Sequence, residues 1–201
     1  MIQLAIFDLG KVLIDFDFTV AIQRIRKVQP LDLFKVKSLF QNSALARRWD
    51  KGLVPEQEFY SQVSHALKLT TTLEEFRVIW NEIFTEKREM IELAGQFRQR
   101  GKTAVISNTN PWHAEYIRRT YPWINSFDHF IASCDVHLLK PDPRIFQIAL
   151  EKTGIHAENA LYLDDIEENV RAARELGINS FHFTGYKSLA KELKDRGILN
   201  T

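Results

Sequence analysis

Four short stretches of this sequence carry side chains that could do chemistry together. Asp8 follows the apolar run Leu4–Phe7, and Ser107-Asn108-Thr109-Asn110 closes the segment Thr103–Ser107. Lys140 stands in Leu139-Lys140-Pro141-Asp142-Pro143, and Asp164-Asp165 follows Ala160–Leu163. Three carboxylates gathered in one place repel, so keeping them ionised calls for a cation. Hard oxygen donors select Mg²⁺, held by a few carboxylates, a carbonyl and waters beside a substrate phosphate. Lys140 and the hydroxyl/amide pair Ser107 and Asn108 suit the remaining phosphate oxygens. A free oxygen of Asp8 could then attack phosphorus, since aspartate is a phosphoryl acceptor in covalent catalysis. Each residue has a plainer explanation. Asp8 and Asp164-Asp165 could cap turns or helices, Ser107 could be a turn residue and Lys140 a surface charge. Their conjunction at four separate strand ends favours a phosphate-handling site.

The elements that must position them are legible as an alternation. Five apolar or β-branched segments, Leu4–Phe7, Thr103–Ser107, Phe130–Ser133, Ala160–Leu163 and Ser180–Phe183, are separated by helical stretches. This pattern reads as βαβ units building a doubly wound parallel sheet, an α/β fold whose ligands bind beyond the carboxyl ends of the strands. Thr85 is expected to cap a helix whose core positions are Met90, Leu93, Ala94 and Phe97 and whose stop is Gly101; Asn169–Leu176 ends likewise at Gly177. Far more chain lies between the first two strands than a crossover requires. From about Thr19 to Phe84 it reads as helices only, with Phe59, Val63 and Leu67 at every fourth position and Thr72-Leu-Glu-Glu75 as a capping box. An all-helical cap over residues 16–85 is therefore expected, inserted into a core made of residues 1–15 and 86–201.

The 201 residues hold 27 basic and 26 acidic side chains and are 45% hydrophobic, an ordinary globular composition. Near-zero net charge argues against nucleic acid or an anionic membrane as partner, and no apolar run is long enough to span a bilayer. The N-terminal apolar run meets Asp8 after seven residues, too early for a signal peptide. The single cysteine, Cys134, reads as a small buried hydrophobe and excludes an internal disulfide. A cytoplasmic setting is expected, with a small phosphorylated substrate as the partner and the chain a monomer or homodimer. Trp112, Tyr116, Tyr121 and Trp123 could be core or interface. His65, His129, His137, His156 and His182 show no paired metal spacing.

Taken in order, these motifs resemble the haloacid dehalogenase (HAD) superfamily of aspartyl-nucleophile phosphohydrolases. Phe7-Asp8-Leu9-Gly10-Lys11-Val12 is similar to its first motif, Ser107-Asn108 to its second, Lys140-Pro141 to its third and Leu163-Asp164-Asp165-Ile166-Glu167-Glu168-Asn169 to its fourth. The strings Ser-Asn-Thr-Asn-x-x-His and Leu-Asp-Asp-Ile-x-x-Asn resemble a branch that includes bacterial α-glucose-1-phosphate phosphatases and the N-terminal phosphatase domain of soluble epoxide hydrolases. The resemblance implies a Rossmann-like core with a helical type-1 cap. It implies Asp8 as nucleophile and, with the Gly10 carbonyl and Asp165, as Mg²⁺ ligand. Ser107, Asn108 and Lys140 would hold the transferring phosphoryl, while Asp164 and Asn169 would orient the metal's water shell.

One position departs from that pattern. Most phosphatases of the superfamily carry an aspartate two residues after the nucleophile as general acid and base, and here that residue is Gly10. A lost acid matters less when the leaving group is a weak base. Sugar phosphates such as glucose 1-phosphate, whose anomeric hydroxyl is comparatively acidic, are the expected substrates. Substitute acids could be His113, Asp15 or Asp17. Arg47, Trp49 and Asp50 of the insert could contact a sugar. Two rival readings stay open: a 2-haloacid dehalogenase, and a non-catalytic phosphate-binding module.

Overall fold

The computed structural model describes residues 1–40 and 43–199. Its centre is a five-stranded parallel sheet built from β1 (Leu4–Phe7), β4 (Lys102–Ser107), β5 (His129–Ala132), β6 (Ala160–Asp164) and β7 (Asn179–His182), in the order β5-β4-β1-β6-β7. Every residue of β1 is buried, as a central strand covered on both faces demands. Its side chains alternate between two cores. Ala5 and Phe7 pack with Met90, Leu93 and Phe97 of α6 (Arg88–Arg98) and with Leu189 and Leu193 of α11 (Tyr186–Asp195). Leu4 and Ile6 face Ile145, Phe146 and Ala149 of α9 (Pro143–Thr153) and Ala173 of α10 (Glu167–Glu175). Because β4 and β6 flank β1 on opposite sides, the loops after these three strands meet over its carboxyl end.

Five helices precede α6 in the interval between β1 and β4: α1 (Phe18–Arg26), α2 (Leu33–Phe40), α3 (Ala44–Asp50), α4 (Glu56–Leu67) and α5 (Leu73–Asn81). They enclose a cluster of their own around Trp49, Phe59, Val63, Phe76 and Trp80. Trp112 of α7 (Pro111–Thr120) joins this cluster, and its indole N–H donates to Glu56 at 2.9 Å, so it is core at the seam between insert and sheet. Thr72 and Glu75 form the capping box expected of α5.

The structure corrects two expectations. The insert is not helices alone: β2 (Ile14–Phe16) and β3 (Phe84–Glu86) pair antiparallel at its base, with Asp15 opposite Thr85. Thr85 therefore lies in a strand, and Lys87 stands at the N-cap of α6 without a side-chain bond. β-Branched and aromatic residues at Ile14, Phe16, Phe84 and Thr85 fit a pleated surface, and here pairing prevails over Thr85's capping tendency. No described helix is long and apolar enough to cross a membrane.

Candidate active site

Asp8 is the first residue past β1. Its N–H donates to the Leu163 carbonyl at 2.8 Å, and its Oδ1 accepts from the Leu9 N–H at 2.7 Å. The Lys140 ammonium lies 2.7 Å from Asp8 Oδ1 and 2.7 Å from Asp164 Oδ2. It is buried, as are both carboxylates. Asn108, at the end of β4, fixes the lysine from behind: its side-chain amide donates to the Lys140 carbonyl at 3.0 Å, and its Oδ1 accepts the Lys140 N–H at 2.8 Å. Ser107, also buried, stands on the wall of the cavity above these groups.

The hydrogen-bond donors divide the three carboxylates by task. Asp164 accepts from Lys140, from the Ile166 N–H at 2.8 Å, from Asn169 Nδ2 at 3.1 Å to each oxygen, and from the Tyr162 hydroxyl. Its lone pairs are committed to the protein. Asp8 keeps Oδ2 clear of N–H donors, and the Asp165 side chain accepts none among the described residues. One oxygen from each of Asp8, Asp164 and Asp165 lies within 4.8 Å of the others. A single ion can bridge such a separation.

Charge points the same way. One ammonium faces three carboxylates, leaving two negative charges unbalanced when all are ionised. Burial pushes the Asp8 carboxyl up to about 7; Lys140 pulls against that rise and Asp164 adds to it. Burial and then Asp164 also raise Asp165. For Lys140, burial disfavours the charge, but Asp8 and Asp164 outweigh it and the net direction is upward. A divalent cation would close this gap, with the Asp165 carboxylate uncommitted and the Asp8 carboxylate beside it, so the donor set fits a hard cation.

A cavity of about 730 Å³ opens above the cluster, floored by Asp8, Gly10, Ser107, Lys140 and Asp165 and roofed by the helical insert. At Gly10 an added Cβ would stand 2.9 Å from a ring carbon of Phe16, so an aromatic ring fills the space beside the nucleophile where a side chain would project. Trp49 stacks on Phe59 with ring centroids 4.3 Å apart, and Asp50 beside it borders the cavity, its carboxyl pushed up to about 6 by burial against the pull of Arg47. Arg47 itself is exposed.

The model of the haloacid dehalogenase-like hydrolases matches residues 2–177. The chain belongs to this family. Among curated proteins, this hydrolase is 25% identical to the D-ribitol-5-phosphate phosphatase of Bacteroides thetaiotaomicron over 90% of its own length and 91% of the relative's. It is 27% identical to the bifunctional epoxide hydrolase 2 of Rattus norvegicus over 57% of its length, a match covering 23% of that protein. A solved HAD family enzyme from Bacteroides thetaiotaomicron, in complex with magnesium and inorganic phosphate, superimposes with a TM-score of 0.82 at 24% identity, covering 94% of this chain and 99% of that one.

Three residues considered as proton donors have other engagements in the hydrolase. His113 is buried in α7, where Asn110 Nδ2 donates to its Nδ1 at 3.0 Å and its Nε2–H donates to the Trp80 carbonyl at 3.1 Å, the tautomer that satisfies both partners. Burial pushes its imidazole down to about 4, so it stays neutral near pH 7. For Asp15, slight burial is outweighed by Lys11 and Lys87, at 3.1 and 3.2 Å, which hold its carboxyl below the usual range. Asp17 caps α1, accepting the Thr19 N–H at 2.8 Å.

Sequence reasoning missed Phe16 over Gly10, Tyr162 against Asp164, and Ser133. The Ser133 hydroxyl accepts the Thr109 N–H at 2.9 Å and donates to the Asp50 carbonyl at 2.6 Å, tying the insert to the sheet. Spacing carries no signal for any of these. An aromatic six residues beyond Gly10 in a chain that must double back was the nearest available hint.

Proposed function

We propose that this hydrolase removes phosphate from small phosphorylated metabolites in two in-line steps, through a phosphoryl group carried transiently by Asp8. The observation that carries the reading is the buried Lys140–Asp8 pair, 2.7 Å apart, with one Asp8 oxygen left clear beneath the cavity. The phosphatase relatives, and the magnesium and phosphate held by the Bacteroides enzyme, support it. The enzyme is a haloacid dehalogenase-like phosphatase. Mg²⁺ would be held by Asp8, Asp165 and the Gly10 carbonyl, where it would supply positive charge to the phosphoryl oxygens.

In the first step the clear Asp8 oxygen attacks phosphorus, and the ester P–O bond breaks with its electron pair leaving on the alcohol oxygen, which takes a proton from water. In the second, water attacks phosphorus, the bond to Asp8 breaks, and inorganic phosphate departs as the carboxylate is restored. Lys140 holds the other Asp8 oxygen and offsets charge in both steps. Ser107 donates to a phosphoryl oxygen. Asn108 acts through Lys140 by fixing its main chain, and Asp164 and Asn169 act through the lysine and the loop at Ile166.

No acid stands at Gly10, both His113 nitrogens are engaged, and Asp15 is paired with two lysines. This favours esters whose alcohol leaves as a weak base. Glucose 1-phosphate is the sugar phosphate that meets that condition, and it is expected to turn over much faster than glucose 6-phosphate. The deciding assay uses p-nitrophenyl phosphate, whose phenolate departs unaided. Hydrolysis should require Mg²⁺, stop with a chelator, and fall by at least about 10³-fold in Asp8→Asn. An Asp8→Asn enzyme as fast as the parent, or halide release from 2-haloacids without phosphatase activity, would overturn the reading.

A further inference from the structure

We propose that the cavity prefers an apolar leaving alcohol, so that at matched leaving-group acidity aryl and alkyl phosphomonoesters are better substrates than sugar or polyol phosphates. The inference rests on the phosphatase reading and names its substrate class. Most of the charge lies at the floor of the cavity. Above it the walls are Phe18, Ile22, Ile25, Val36, Phe40 and Trp80, contributed by three different cap helices. Among the lining residues the Phe16 ring stands over Gly10. Among the described cap residues that line the cavity, Lys37 and Asp50 alone are ionisable. A sugar entering this space would give up water at each hydroxyl and regain few partners, whereas an apolar group gives up none.

Helix α2 supplies the second argument. Its sequence, Leu-Phe-Lys-Val-Lys-Ser-Leu-Phe, is apolar at five of eight positions, yet none of its residues is fully buried. Leu33 remains 49% exposed although it borders the cavity. Aliphatic and aromatic surface left part-covered along the border of a reaction cavity is what an apolar occupant would cover. Leaving-group acidity and leaving-group surface are separate requirements: Gly10 bears on the first and the cap wall on the second. A phenol meets both, which ranks aryl esters first.

The test compares esters matched for leaving-group acidity, using the whole chain with Mg²⁺. Among primary alcohols, n-octyl phosphate should exceed glucose 6-phosphate and ribitol 5-phosphate in kcat/KM by at least about tenfold, and among phenols 2-naphthyl phosphate should exceed phenyl phosphate. Val36→Asn should shrink the octyl-to-glucose ratio. A larger gain for naphthyl than for octyl assigns an aromatic substrate, and the reverse assigns an alkyl chain. If p-nitrophenyl phosphate is hydrolysed but the polyol phosphates match or exceed the apolar esters, this inference fails alone. If p-nitrophenyl phosphate is not hydrolysed, the phosphatase reading fails and takes the inference with it.

Discussion

At the scale of single residues, the site is a set of carboxylates told apart by what already binds them. Gly10 and Phe16 act as a pair. Gly10→Asp, the change that would install the acid usual in related phosphatases, drives a Cβ to 2.9 Å from the Phe16 ring. It should destabilise the fold by about 1–3 kcal/mol in denaturant melts, and Phe16→Ala in the same chain should recover most of that loss. His113 gives a pH signature. Its imidazole is pushed down to about 4 in the folded protein, against about 6.5 when exposed. Between those values the unfolded chain binds a proton that the folded chain refuses. Stability should therefore fall as pH drops through that window, by up to roughly 3 kcal/mol. The difference between parent and His113→Gln, followed by denaturant midpoint from pH 7 to 4, isolates the effect. Asp8 and Asp165 were readable in sequence because each follows directly on an apolar strand, whereas Lys140, eight residues past β5, was marked by the Lys-Pro-Asp-Pro run that opens α9. The work of Asn108 was not, since its grip on the Lys140 main chain depends on two loops meeting that lie 32 positions apart.

At the scale of elements, the parallel strands were legible within a residue or so, because buried strands read as continuous apolar runs. The cap helices declared themselves by spacing and by the Thr72 capping box. The ribbon of β2 and β3 was not legible: three-residue strands are too short to show a period, and their pairing partner is some seventy positions away. The contact between cap and sheet runs through Gly52, just past α3. Its φ is +65°, and a Cβ there would lie 2.3 Å from the Cys134 carbonyl oxygen in the short helix α8 (Ser133–Val136). Gly52→Ala should cost about 1–3 kcal/mol through strain and steric push. It should also raise KM more than it lowers kcat on p-nitrophenyl phosphate, because the roof is displaced while the floor stays intact.

At the scale of the whole molecule, the sheet supplies a charged floor and the insert a largely apolar roof, which under the proposed function separates chemistry from recognition along one chain. The unbalanced floor predicts a thermal response. Mg²⁺ at a hundredfold excess over its Kd should add about 2.7 kcal/mol, a rise of several degrees in Tm for a chain of this size. Asp165→Asn should blunt that rise, and an unchanged Tm in the parent would count against the cation site. The fastening between the two parts has a wider meaning. Ser133 holds the carbonyl of Asp50, His137 holds the carbonyl of Lys51 at 2.7 Å, and Cys134 abuts the bare Cα of Gly52. Such a latch grips the main chain at Asp50 and Lys51 whatever side chains stand there, and needs only Gly52 to stay bare. Mutation can therefore redecorate the neighbouring loop without unfastening it, which gives descendants of this protein a cheap route to new diets of phosphate esters.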